Sequence, residues 1–78
     1  MKDDFGTSTS TGHVVSYDER TLSGVVRVRH RRGLAGTCYP FRSWIFRSER
    51  PHRQPRLGEA VVLVFNRDQE LVSVRTPR

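Results

Sequence analysis

Apolar and polar residues alternate along two stretches of this chain. In Ser23–His30 (SGVVRVRH), Val26 and Val28 alternate with Arg27 and Arg29. A period of two gives one apolar and one cationic face, the pattern of a half-buried strand. Leu71–Arg75 (LVSVR) alternates in the same way and predicts a last strand, ended by Pro77. The strongest apolar run, residues 58–66 (GEAVVLVFN), predicts a central, well-buried strand. Two shorter candidates are residues 13–17 (HVVSY) and residues 36–42 (GTCYPFR). In the second, Pro40 requires an edge position or a bulge, because it has no N–H to give to a ladder.

Between these runs the chain is rich in turn formers. Asp18-Glu19-Arg20-Thr21, Arg31-Arg32-Gly33 and Asn66-Arg67-Asp68-Gln69 each predict a turn. Residues 43–48 (SWIFRS) predict one helical turn, with Ser43 as its N-cap. Residues 47–56 (RSERPHRQPR) hold two prolines and four arginines and predict a basic surface loop. Residues 1–11 are acidic, then Ser/Thr/Gly-rich, with little to bury, so a flexible tail is expected there and order from Gly12 onwards. Residues 12–78 then form one all-β domain of five short strands. A small five-stranded Greek-key barrel fits so short a chain and deals with its sheet edges; an SH3-like barrel is the near alternative.

Composition supports the β reading. Ten valines stand against five leucines and one isoleucine, and branching at Cβ suits a pleated sheet. With 78 residues the core is modest, at about 60% of the unfolded surface buried. The net charge of +6 is unevenly placed: ten arginines and one carboxylate, Glu49, lie between Arg20 and Arg56, whereas residues 1–19 carry four acidic residues and one lysine. Clustered guanidinium groups favour a polyanionic partner. The single cysteine, Cys38, leaves no internal disulfide and fits a reducing compartment, and no apolar run approaches the roughly 20 residues of a membrane span. A cytoplasmic protein that does not engage membranes is expected.

Candidate chemistry is sparse. His13, His30, His52 and Cys38 are zinc-type ligands, but no two of them have ligand-pair spacing, so no metal and no cofactor is expected. No carboxylate pair, nucleophile–base pair or Gly-rich phosphate loop stands out, and an enzyme is not expected.

Several segments, in order, resemble a cold-shock domain, a member of the OB-fold group. Gly12-His13-Val14-Val15-Ser16-Tyr17-Asp18 is similar to the family's opening Gly-x-Val-x-x-aromatic-Asn/Asp stretch. Leu22-Ser23-Gly24-Val25-Val26 falls on its second motif, and Cys38-Tyr39-Pro40-Phe41-Arg42-Ser43-Trp44-Ile45 on its third. Gly58-Glu59-Ala60-Val61-Val62-Leu63 resembles the fourth strand and Leu71-Val72-Ser73-Val74 the fifth. The resemblance implies an OB-type barrel that binds single strands by stacking bases on aromatic rings. At three of those ring positions this chain has Ser16, Ser23 and Val25, so the implied platform shrinks to Tyr39 and Phe41.

The expected surface therefore joins Arg27, Arg29 and Arg42 to Tyr39 and Phe41, with Arg47, Arg50, Arg53 and Arg56 as a basic rim. Tyr39 and Phe41 are two apart and share a face, which is either an exposed stacking platform or core; the resemblance puts them outside. Trp44 either plugs the barrel bottom, the expectation here, or meets a partner. The expected function is non-catalytic binding of RNA or single-stranded DNA with low sequence preference. The alternative is a protein-interaction module whose arginine face docks an acidic partner.

Overall fold

In a computed structural model the chain is all-β, with residues 7–30, 36–48 and 53–77 described. Six strands follow in order: β1 (Ser8–Asp18), β2 (Ser23–His30), β3 (Cys38–Arg42), β4 (Phe46–Arg47), β5 (Ala60–Phe65) and β6 (Leu71–Arg75). A three-residue 3-10 turn, Ser43–Ile45, joins β3 to β4. One sheet holds all six in the order β3-β2-β1-β5-β6-β4, antiparallel except for the parallel pair β6–β4. The sheet curls into a half-barrel. Tyr39 of β3 meets Phe65 of β5 edge-on with ring centroids 5.1 Å apart, although two strands separate them in the sheet. Among the described residues no helix is long and apolar enough to cross a membrane.

The long first strand makes the curl possible. Its first half pairs with β5 (Ser8↔Phe65 to His13↔Ala60) and its second half with β2 (Thr11↔His30 to Asp18↔Ser23). Register shifts at Thr11/Gly12 and Val14/Ser16 add bulges, which bend a strand and increase its twist. At the inside of the bend β1 and β2 approach too closely for side chains. A Cβ on Gly12 would lie 2.3 Å from the Arg27 carbonyl oxygen, and one on Gly24 2.4 Å from that of Ser16.

Inward positions form one core: Val14, Val26, Val28, Phe41, Val61, Leu63, Phe65 and Val74. The alternation predicted for β2 and the bounds predicted for β6 match the structure. Several expectations need correction. There are six strands, because the chain after the 3-10 turn pairs its residues 46–47 with β6. Order reaches back at least to Ser8, not Gly12, because residues 8–11 complete the ladder to β5 and Ser10 turns into the core. Threonine is itself a good strand former, so a Ser/Thr-rich run with a neighbouring edge to pair with need not be a tail. The 3-10 turn is capped by Arg42 rather than Ser43, without a side-chain hydrogen bond. The expected turn at residues 31–33, and residues 1–6 of the expected tail, lie outside the described residues.

Candidate nucleic-acid interface

The outer face of β2 and β3 is set by strand parity. Val26 and Val28 point inward, so Arg27 and Arg29 stand in solvent. Arg29 is the extra residue of the bulge between Thr11↔His30 and Gly12↔Val28, a place where strands re-aim side chains. On β3 the outward residues are Cys38, Pro40 and Arg42. Arg27 pairs with Cys38 and Ser23 with Arg42, so Arg27 and Arg42 share a face about 13 Å apart along the strand direction.

That parity removes Phe41 from the expected surface. Its ring is 3% exposed and packs over Gly24, where a Cβ would come within 2.8 Å of Cε1. It stacks on Tyr17 with centroids 6.1 Å apart. Phe41 is core because its neighbour Arg42 takes the solvent side and only a glycine opposite leaves room for the ring. Tyr39 shares the inward face. It is half-buried, and its ring meets that of Phe65 edge-to-face.

The exposed aromatic ring is Trp44 instead, at 64% exposure on the 3-10 turn. The expectation that it plugs the barrel is corrected: Ile45 is the residue of the turn that packs against the core, and Trp44 points away from it. The Arg42 guanidinium lies 5.7 Å from the indole centroid, close enough for cation–π attraction. On the other side of the turn, Arg47 stands across from Arg75 in the parallel β4–β6 pair, both exposed. Arg75 was legible in the alternation of LVSVR, which puts it opposite in phase to buried Val74, yet it falls outside the expected surface.

The remaining rim residues divide. Arg53 is not a free cation. Its guanidinium grips both carboxylate oxygens of Glu59 and lies 5.7 Å from the Phe46 ring centroid. Glu59 in turn accepts the Arg56 amide at 3.0 Å. Burial opposes ionisation of Glu59, but the hydrogen bonds from Arg53 and Arg56 and the two positive charges outweigh it. The carboxyl is held below its ordinary 4.5. The same pair holds the Arg53 guanidinium above its ordinary range, through its hydrogen bond to Glu59. Arg56 is exposed, and Arg50 lies outside the described residues. Among the described residues, Arg53–Glu59 is the one ion pair.

Two open clefts of ≈ 390 Å³ each flank this region. One lies beside the 3-10 turn, walled by Tyr17, Leu22, Trp44, Phe46, Arg47 and Arg53. The other lies on the outer face of β2 and β3 and includes Arg42 and Pro40. Tyr17 lines both, and its hydroxyl is buried with no hydrogen-bond partner among the described residues. No group of three metal-ligating side chains occurs among the described residues. No family model, curated protein or solved structure matches the chain.

Proposed function

We propose that this protein binds nucleic acid without catalysing a reaction, holding RNA or single-stranded DNA mainly by its phosphates and with little base preference. One observation carries the reading. Arg27, Arg29, Arg42, Arg47 and Arg75 are all exposed, and none is paired with a carboxylate among the described residues. Unneutralised guanidinium groups on a +6 protein release counterions from a phosphate backbone when they bind it. The scaffold we propose is an OB-type, cold-shock-like Greek-key barrel in a cytoplasmic protein. The sheet order supports the barrel part of this reading, with β4 carried round to the free edge of β6.

Charge removal tests the proposal. Arg47→Gln with Arg75→Gln should flatten the salt dependence of single-strand binding, lowering its slope by about 0.7 for each phosphate no longer held. Arg53→Gln, which removes an already paired charge, should not. If the double variant binds a homopolymer like the parent at low salt, these arginines are not phosphate ligands. The exposed Arg42–Trp44 pair favours one second reading, a module that docks an acidic protein, since Arg and Trp are preferred interface anchors. That reading takes over if no nucleic acid binds.

A further inference from the structure

The cleft beside the 3-10 turn differs in kind from the arginine face. Three of its walls are rings, Tyr17, Trp44 and Phe46, and a fourth is the Leu22 side chain. Of its two cations, Arg53 is engaged on both forks by Glu59 and on its face by Phe46, so its charge is already matched. Arg47 remains exposed at the edge. Its size, ≈ 390 Å³, is at the small end of ligand clefts, which span roughly 300–1,000 Å³.

The local backbone is held in an unusual state at this wall. Leu22 has φ 58°, a left-handed conformation in which glycine is the unstrained residue. The strain is locked in by three hydrogen bonds. The Leu22 amide donates to the Asp18 carbonyl at 2.8 Å, the Arg20 amide to Asp18 Oδ1 at 2.8 Å, and the Ser43 amide to the Leu22 carbonyl at 2.8 Å. The last bond ties the β1–β2 turn to the start of the 3-10 turn, so the walls bearing Leu22 and Trp44 are fixed to each other. Arg42 braces the indole but belongs to the neighbouring cleft. Backbone strain of this kind collects at ligand clamps.

We propose that this cleft takes one unpaired nucleobase, stacked on Trp44 and walled by Leu22, while the flanking phosphates lie on Arg42 and Arg47. The inference rests on the nucleic-acid reading above and sharpens it. A base inside a duplex stack cannot enter, so the cleft selects single strands, loops or ends. Stacking on an aromatic ring tolerates any base, which fits a low sequence preference.

The test compares a short oligoadenylate with an abasic sugar–phosphate strand of equal length. Trp44 is the chain's one tryptophan, so its emission reports on the cleft. The oligoadenylate should quench Trp44 and bind about 5- to 150-fold more tightly than the abasic strand. Trp44→Ala should abolish that advantage, bringing the oligoadenylate down to the affinity of the abasic strand. Leu22→Gly relieves the backbone and removes a wall, so it should keep the fold while reducing the advantage. Equal affinities for the two strands, or an advantage that survives Trp44→Ala, would overturn the cleft and leave the basic face standing. If neither strand binds at about 50 mM salt, the nucleic-acid reading itself fails, and the cleft falls with it.

Discussion

Phe41→Leu separates a core ring from a stacking ring. The Phe41 side chain is 3% exposed, sits in the slot over Gly24, and faces Tyr17 at 6.1 Å with an interplanar angle of 26°. Leucine keeps the site apolar but removes the ring pair, worth about 0.5–1.5 kcal/mol. It also leaves a void of roughly 20–30 Å³, which at about 24 cal/mol per Å³ adds about 0.6 kcal/mol. The expected loss is therefore about 1–2 kcal/mol. A domain this small responds with a fall in Tm of about 5–15 °C. Urea denaturation followed by circular dichroism measures the loss directly. Single-strand affinity, measured well below the transition, should stay within about twofold of the parent, because the ring is buried away from any bound strand. Unchanged stability together with a severalfold loss of affinity would refute the assignment and return Phe41 to the surface.

Other consequences follow from close approaches and charges. Gly12→Ala drives a Cβ to 2.3 Å from the Arg27 carbonyl oxygen, a backbone atom that cannot step aside, so unfolding should become easier by about 1–3 kcal/mol or more in urea titration. Gln69 has φ 66° in the β5–β6 turn, held by the Gln69 amide donating to the Asn66 carbonyl at 2.9 Å. Gln69→Gly should stabilise by about 0.5–1 kcal/mol in thermal melts, and destabilisation would show that its side chain outweighs the strain. Glu59 is held below its ordinary carboxyl value, so its contribution is complete above about pH 4.5 and is lost as pH falls through the lower folded value. Glu59→Gln should flatten that acid limb of the stability profile; a limb of unchanged steepness would show that the Arg53 pair adds nothing.

Strand parity explains which parts of this structure were legible in the sequence. Val26 and Val28 against Arg27 and Arg29 told both the element and its orientation, because burial divides sharply between neighbours. Pro40 called for an edge position or a bulge, and the structure has β3 at an edge of the sheet. The same parity, applied to β3, forbids Phe41 and Arg42 from sharing a face; the expected surface put them together because the resemblance, not the alternation, set their direction. Trp44 was misjudged for a different reason. Large apolar residues are usually buried, and only the three-dimensional course of the 3-10 turn shows that this one stands exposed. The Arg53–Glu59 pair spans six residues of an irregular segment, and no periodicity encodes such an interaction. Strand β4 is two residues long, too short for any pattern, and exists because β6 offers it an unpaired edge.

We propose that exposed arginines without a carboxylate partner among the described residues hold a phosphate backbone. Titrating a labelled single-stranded homopolymer with the protein at about 50 and 200 mM salt tests it most directly. Five bound phosphates, one for each of Arg27, Arg29, Arg42, Arg47 and Arg75, give a slope of log K against log salt near about −3.5. Binding should be measurable at the lower salt and about 100-fold weaker at the higher. No binding at about 50 mM, or an affinity indifferent to salt, would contradict the claim.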